Sequence, residues 1–415
     1  MCLEVSRIGQ GEPRIMKRIK IGMVGAGGFS CAFIPLFRAH PLTSEVHLAE
    51  VMPDRLANAA KQFHIRNTYP GLEALLESDV DAVTIFTQRW KHAPQALAAM
   101  RAGKHVYSAV PAAMSIEEIE ELIQTVKATG LTYMMGETSY YQPATIYCRK
   151  RFQAGDMGRF VYAEGEYYHD MEHGFYGPYQ GSNGDEWKKY ASFPPMLYPT
   201  HSCGMVLGIT GARMTDVSCL GYRDKHADGI FDKELSHWDN DFSNQSALFR
   251  TSDGGMARTN EFRRVGMRSP ATGSVRCCIY GTDACYEEQA NARAWINHAG
   301  EVEDVVDLLC CTPNYHPGRE ADIKVEGVQD DFFSSLSSVH DKDRLPREFA
   351  SLGNGHFGSH QFLVDDFLKA CASDTLPPVN VWTAASYCAP GIVAHRSALR
   401  EGERLPIPDL GQAPG

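Results

Sequence analysis

Tyr198, Pro199, Thr200 and His201 stand at the start of the apolar segment Met205-Val206-Leu207-Gly208-Ile209. Proline keeps Tyr198 out of the following helix and Thr200 is placed to cap it, which aims a phenol and an imidazole into a cleft. A structural turn with a packed tyrosine is the alternative. Such a pair can hold hydroxyl groups or pass a proton at neutral pH. A second polar cluster, Glu166-Tyr167-Tyr168-His169-Asp170 and on to His173, ends a run of alternating β character that begins at Phe160. His169 and His173 have the i, i+4 spacing that binds zinc on a helix. Here they follow a strand without a third-ligand pattern, so a solvated or ligand-contacting role is expected and no metal. A third cluster, Glu186-Trp187-Lys188-Lys189, precedes Tyr198.

A different chemistry is written near the start. Ile19 to Val24 is a short apolar run that stops at Gly25-Ala26-Gly27-Gly28-Phe29-Ser30 and continues as a helix-compatible stretch from Cys31 to His40. Glycines let the backbone approach a pyrophosphate, and the amides of the next helix face its charge. About 25 residues on, Glu50 falls near the end of an expected strand, Val46 to Val51, the spacing of a carboxylate that accepts ribose hydroxyls. A carboxylate there repels a 2′-phosphate and favours NAD over NADP; an ordinary solvated glutamate is the alternative.

The elements that must carry these groups alternate. Strands are expected at Ala82 to Thr87, His105 to Tyr107 and Leu131 to Met135. Helices are expected at Leu72 to Leu76, Pro94 to Ala102 and Ile116 to Thr129. The pattern predicts an α/β fold with a doubly wound parallel sheet, whose ligand lies at the carboxyl ends of the strands. Thr87, Gln88, Arg89, Trp90, His92, Ala109, Val110, Glu137 and Thr138 fall at such ends and are expected to line the cofactor pocket. Beyond Pro143, strands at Val217 to Gly221, Asn244 to Arg250, Met256 to Glu261 and Val275 to Gly281 predict an α+β domain with an open, mostly antiparallel sheet. Pro377 to Arg400 reads as a helix packing back on the first domain. The expected division is an extension over 1–16, a dinucleotide-binding domain over 17–143, a substrate and oligomerisation domain over 144–376, and a helix and tail over 377–415.

Composition agrees with a two-domain small-molecule protein. Of 415 residues, 43% are hydrophobic and 22% charged. A net charge of −11 argues against nucleic acid or anionic lipid as partner. The 12 cysteines form no CxxC pair, which argues against a disulfide framework or a zinc ribbon and for the reducing cytoplasm. No secretory signal and no membrane-spanning run is read.

Residues 18–143 resemble the nucleotide-binding domain of the Gfo/Idh/MocA oxidoreductase family, through Asp79-Val80-Asp81-Ala82-Val83 to Thr87, His92-Ala93-Pro94 and Ala102-Gly103-Lys104-His105-Val106. Dehydrogenases of that family carry Glu-Lys-Pro where this chain has Ala109-Val110-Pro111, and that lysine handles the hydroxyl proton. The second domain resembles glycoside hydrolase family 109, the NAD-dependent glycosidase branch, or a related redox glycosidase family such as the NAD-dependent sulfoquinovosidases. That branch reads Glu-Val-Pro, matched at Val110 and Pro111 though not at Ala109. Its Met-Met-Leu-Glu-Asn is similar to Met134 to Thr138, its Gly-Tyr-x-His-Asp to Glu166 to Asp170, and its Tyr-Pro-Thr-His is intact at Tyr198 to His201. The family's arginine upstream of that last motif has no counterpart, and Gly355 to His360 matches its Gly-His-Gly-Gly only in part.

The resemblance implies a glycosidase with NAD as cofactor. Hydride is borrowed from C3 of a sugar, the ketone acidifies the C2 proton, the aglycone is eliminated, water adds and the hydride returns. It places the C2 base at Tyr167, with His201 and Tyr198 holding hydroxyls or moving the C3 hydroxyl proton and Glu137 nearby. His169, Lys188, Lys189, Arg263 and Arg264 are expected around the substrate. A tyrosine base needs a depressed pKa, which Lys189, His201 and Arg263 or Arg264 are the candidates to supply. The same cations suggest an anionic glycone such as a sulfoquinovoside, beside an N-acetylgalactosaminide or a neutral hexoside. A homodimer or tetramer is the family expectation. The alternative activity is an NAD-dependent sugar or inositol dehydrogenase whose proton acceptor has moved to His201 or Tyr198.

Overall fold

The structure, a computed structural model, describes residues 17–266, 274–290, 292–314 and 332–414. The extension expected over 1–16 and the side chain of His173 lie outside the described residues. Six strands, β1 (Ile19–Val24), β2 (Thr43–Ala49), β3 (Thr68–Tyr69), β4 (Ala82–Ile85), β5 (His105–Ser108) and β6 (Tyr133–Met135), form a sheet of order β3-β2-β1-β4-β5-β6. Every pairing in it is parallel. The order turns back between β1 and β4, so the carboxyl ends of those two strands open the crevice in which such sheets bind ligands. Gly25 makes that approach possible. Its φ is +96°, and a Cβ there would sit 2.6 Å from the Phe86 carbonyl oxygen at the end of β4.

Capping chemistry sets the helix ends around this sheet. Ile116–Thr129 begins where the Ser115 side chain accepts the Glu118 amide and stops at Gly130, whose φ is +67°. The second strand ends one residue before Glu50, which places that carboxylate in the loop beside the glycine turn.

The second sheet has nine strands: β7 (Phe160–Tyr168), β8 (Met214–Arg223), β9 (Phe242–Thr251), β10 (Met256–Phe262), β11 (Val275–Gly281), β12 (Ala284–Glu288), β13 (Arg293–Asn297), β14 (Val302–Asp304) and β15 (Leu405–Pro406). Their order is β14-β13-β12-β11-β7-β10-β9-β8-β15. The β7–β10 pair is parallel and the other pairs antiparallel. The fold is therefore α/β with a second, mostly antiparallel sheet, as the residue pattern predicts. Helix Thr200–Thr210 lies against β7, so close at Gly165 that a Cβ would stand 2.2 Å from the Ser202 carbonyl oxygen.

Helix Val381–Ala398 follows Pro377-Pro378 and is capped by the Asn380 side chain, which accepts the Trp382 and Thr383 amides. Just ahead of it, the Met135 amide donates to the Val379 carbonyl at 2.9 Å, tying the segment to the edge of the first sheet. The body of the helix packs on β8 and on helix Thr200–Thr210. It therefore bridges the two sheets.

The segment between β7 and Tyr198 departs from the residue pattern. It folds as a π turn (Met171–Phe175) and two short helices (Tyr176–Asn183 and Trp187–Ala191). It is too rich in glycine and aromatic residues to show a helical apolar stripe. What holds it is a small apolar cluster separate from the main core, made of Met171, Tyr179, Ala191, Phe193, Ile230 and Phe231. Among the described residues no helix is long and apolar enough to cross a membrane, and no group of three or more His, Cys, Asp or Glu is placed to hold a metal ion.

Candidate active site

The crevice between β1 and β4 is built to receive a dinucleotide. A Cβ at Gly27 or Gly28 would meet nothing within 4 Å, so open space lies over the start of helix Gly28–Ala39. The Ser30 hydroxyl donates to the Gly25 carbonyl at 2.6 Å and closes the turn. Glu50 is buried beside it. One oxygen accepts the Ala26 amide at 2.8 Å and the other the Met52 amide at 3.0 Å, with the Arg55 guanidinium at 3.8 Å. A carboxylate pinned there accepts ribose hydroxyls and repels a further phosphate, so these residues fit NAD. Phe29 stands over the turn with its ring 5.4 Å from His356 and 5.5 Å from His360. His356, Phe357 and Gly358 have φ of 49°, 54° and 88° and form a left-handed turn ahead of the regular helix that runs to Ser373.

The remaining strand-end residues divide. Thr87 donates its hydroxyl to the Gln95 side chain at 2.5 Å. His92 is a brace: its ring nitrogens lie 2.8 Å from the Pro111 carbonyl and 3.1 Å from the Thr87 carbonyl. Burial lowers its imidazole to about 4, so it stands neutral. Ala109 and Val110 are buried, and the Ala109 amide donates to Ile85. This segment offers no side chain able to carry a proton. Thr138 is buried in the short turn Thr138–Tyr141. Gln88, Arg89 and Trp90, expected at the cofactor, turn the other way. Gln88 donates to the Pro178 carbonyl at 3.4 Å, Trp90 stacks on Tyr190 with centroids 5.4 Å apart, and Arg89 donates to the Tyr179 hydroxyl at 2.7 Å. A one-turn 3₁₀ segment over Arg89–Lys91 points these side chains at the second sheet's helical segment.

Where the two sheets meet, a carboxylate and an imidazole join. Glu137, fully buried just after β6, has one oxygen 2.6 Å from His201 Nδ1, and the same oxygen accepts the Ser139 amide at 2.7 Å. The Ser139 hydroxyl lies 3.2 Å from the same nitrogen. Burial works against the charge on Glu137, but His201 and these hydrogen bonds outweigh it and hold the carboxyl below its usual range. With Nδ1–H donated to the carboxylate, Nε2 carries the lone pair, the tautomer that a base requires. His201 is presented by the first turn of helix Thr200–Thr210. Pro199, not Thr200, occupies the cap position, and no side chain caps this helix. Tyr198 lies outside the helix, as the proline predicts.

Two phenols complete the cluster. The Tyr167 ring is 4.7 Å from His201 and 6.0 Å from Tyr198, and Tyr198 is 5.3 Å from His201, centroid to centroid. The expectation of a depressed Tyr167 pKa is reversed. Burial raises it strongly, neighbouring Tyr198 adds to the rise, and Arg263 only opposes it. Burial likewise pushes Tyr198 up to about 12, against Arg89. Both phenols keep their protons at neutral pH.

The expected cations are mostly spoken for. Arg263 lies 4.8 Å over the Tyr167 ring but pairs with Glu261 at 2.9 Å, and Glu261 also accepts the Ser202 hydroxyl at 2.5 Å. Burial lifts Glu261 to about 7 even so. Arg264 pairs with Asp224 at 2.9 Å and Asp228 at 2.5 Å, Lys189 pairs with Glu186, and Lys188 donates to the Asp228 carbonyl at 2.9 Å. His169 packs its ring 5.6 Å from Tyr167 and 4.3 Å from Phe175. Ser139, Ser202 and Glu261 were not singled out from the residues. The signal for Glu261 was its place at the end of β10 two residues before Arg263, with which it pairs.

Residues 19–137 match the family described as oxidoreductase family, NAD-binding Rossmann fold, of the Gfo/Idh/MocA group. A glycosyl hydrolase family 109 protein of Streptomyces filamentosus is 24% identical over 421 residues, covering 94% of this chain and 77% of that one. An alpha-N-acetylgalactosaminidase of Bacteroides fragilis is 35% identical over 141 residues, 33% of each chain. Among solved structures, a levoglucosan dehydrogenase in complex with NADH and levoglucosan has a TM-score of 0.70 at 17% identity, covering 95% of this chain and 100% of that one. A myo-inositol 2-dehydrogenase from Lactobacillus plantarum has a TM-score of 0.66 at 16% identity, covering 94% and 100%. These two likenesses are of fold. The glycine turn, the pinned Glu50 and the match across the whole parallel sheet agree that residues 19–137 form an NAD-binding Rossmann domain similar to that of the Gfo/Idh/MocA oxidoreductase family.

Proposed function

We propose that this chain is an NAD-dependent glycoside hydrolase that oxidises its sugar transiently and regenerates the cofactor in each turnover. The observation that carries the reading is the buried Glu137–His201 pair, 2.6 Å apart, facing Tyr167 and Tyr198 beside a segment whose valine replaces the dehydrogenase lysine. The relatives named for glycosyl hydrolase family 109 support it.

Bound NAD supplies reversible acceptance of a hydride. The chain's own residues move the protons. His201 Nε2, left with the lone pair when Nδ1 donates to the Glu137 carboxylate, takes the hydroxyl proton from the carbinol being oxidised, the part Val110 has no group to play. The carbonyl acidifies the neighbouring C–H, whose proton goes to Tyr167 in its phenolate form, a minor species at neutral pH because burial raises the phenol, though Arg263 above the ring opposes that rise. The aglycone leaves by elimination, water adds to the enone, and His201 returns its proton as the carbonyl is reduced. Tyr198, protonated at neutral pH, donates to a sugar oxygen.

A sugar dehydrogenase is the second reading, favoured by the same His201, which serves equally as a dehydrogenase's proton acceptor. Product stoichiometry separates the two. In deuterium oxide with chromogenic glycosides, the hydrolase releases aglycone with no net NADH and places deuterium at C2 of the sugar. Accumulation of NADH and ketosugar in step with substrate loss, without aglycone release, would overturn the hydrolase reading. Within the cycle, His201→Ala should abolish single-turnover reduction of NAD, whereas Tyr167→Phe should keep that reduction and lose deuterium exchange at C2.

A further inference from the structure

We propose that Arg89 is an anion receptor in the substrate cleft, selecting a sugar that bears a carboxylate or a sulfonate; this rests on the reading above that the cleft holds a sugar. Arg89 comes from the turn after β4 in the first sheet and reaches into the helical segment of the second. Its guanidinium carbon lies 4.7 Å from the centre of the Tyr198 ring, 4.9 Å from Phe175, 5.3 Å from Tyr179 and 5.7 Å from Phe193. The Tyr179 hydroxyl accepts one of its N–H groups at 2.7 Å. Ring faces hold a cation in position but bring no negative charge to cancel it.

The neighbouring cations show why this one differs. Arg263, Arg264 and Lys189 each have a carboxylate partner, whereas among the described residues no acidic side chain lies within ion-pair distance of Arg89. A half-buried guanidinium without a counter-charge is costly unless a ligand supplies one, and its planar fork matches the paired oxygens of a carboxylate or sulfonate. The position suits a substrate. Tyr198, whose ring faces Arg89, is also 5.3 Å from His201, so one side chain borders both the guanidinium and the Glu137–His201 pair. The pyrophosphate of the cofactor is the competing anion. The glycine turn packs on Phe86 and His356, however, and the four rings around Arg89 come from residues 175–198.

The test compares matched chromogenic glycosides with the NAD-loaded enzyme. The probes are a glucoside, an N-acetylgalactosaminide, a glucuronide carrying a carboxylate, and a sulfoquinovoside carrying a sulfonate. The wild type should prefer one of the anionic sugars, and which one identifies the group. Arg89→Met should lose about 100-fold in kcat/KM on that sugar and less than about 3-fold on the glucoside, with Arg89→Lys between. The Kd for NAD should be unchanged in both variants. Preference for a neutral sugar, equal losses on neutral and anionic sugars, or weakened NAD binding in Arg89→Met would each overturn the assignment. Free glucuronate and a free sugar sulfonate, titrated calorimetrically against the NADH complex, keep the question answerable if no glycoside is cleaved: binding that Arg89→Met abolishes supports the receptor, and absence of binding by the wild type overturns it. Oxidation of free sugar acids with accumulating NADH, dependent on Arg89, would overturn the hydrolase reading while leaving this assignment intact.

Discussion

Glu137 never meets bulk water, yet by taking His201 Nδ1 it leaves Nε2 as the nitrogen that the proposed reaction uses as base. Glu137→Gln keeps a side chain of the same shape and loses the charge that sets the tautomer. We expect kcat to fall about 10²- to 10⁴-fold with the Kd for NAD unchanged, and kinetics with a cofactor titration would check both. The lowered carboxyl also gives a pH signature. A folded pKa below the unfolded one means that the charge's contribution to stability is complete above the ordinary carboxylate value of about 4.3 and is lost as pH falls through the folded value. Thermal melts of wild type and Glu137→Gln should therefore converge as pH falls below about 4; a difference that persisted undiminished in strong acid would contradict the lowered carboxyl. That Tyr167, Tyr198, His201 and Glu137 come together was legible in the chain because each falls within or beside a short motif that marks an element's end. The direction of Arg89 was not, because nothing local distinguishes a strand-end side chain that points to the cofactor from one that points across to another sheet. The neutralised cations misled for a related reason: the partners of Arg264, Asp224 and Asp228, lie 40 and 36 residues away and are joined to it only by the fold.

Strands and helices reach that cluster by close approach, and the tightest contact is between β7 and helix Thr200–Thr210. An added Cβ at Gly165 would fall 2.2 Å from the Ser202 carbonyl, which is backbone and has no rotamer to escape by. Gly165→Ala should cost about 1–3 kcal/mol in chemical denaturation. It should also lower kcat about 100-fold, because pushing the helix away moves His201, the residue before Ser202, off the Glu137 carboxylate. Gly177→Ala is the control. It lies in helix Tyr176–Asn183 with nothing within 4 Å of a new Cβ, so it should gain about 0.5–1 kcal/mol and leave kcat alone. Equal behaviour of the two variants would show that the β7 contact does not position the site. The parallel sheet was readable almost element by element, since its buried strands are continuous apolar runs separated by helices with an apolar stripe. The 171–191 helices were not, because their apolar residues close on a local cluster instead of a sheet face.

The main core joins the two sheets, so we expect them to unfold together. The main apolar cluster runs from Ile19 to Ile407 and draws on both sheets and on helix Val381–Ala398, which packs against β8 of the second sheet and follows Val379, bonded to the edge of the first. Among the described residues no apolar boundary divides this main cluster where a two-step melt would begin. The glycine turn and Glu50 belong to the first sheet, yet the free energy of cofactor binding should be felt by both sheets. NAD at a hundred times its Kd stabilises the native state by about 2.7 kcal/mol, and this should move one thermal transition as a unit. Two transitions in calorimetry, with only one displaced by NAD, would show that the sheets unfold independently. The same measurement reads the nucleotide preference. Glu50, fixed by the Ala26 and Met52 amides, repels a 2′-phosphate, so NADP at equal concentration should leave the transition of the wild type nearly where it was. Glu50→Ala removes that repulsion together with the partner for the ribose hydroxyls. The shift produced by NAD should shrink while that produced by NADP grows, and the ratio of the two affinities should move toward NADP by about 10-fold, roughly 1.4 kcal/mol. If NADP already stabilised the wild type as well as NAD does, Glu50 would be an anchor for the turn and nothing more.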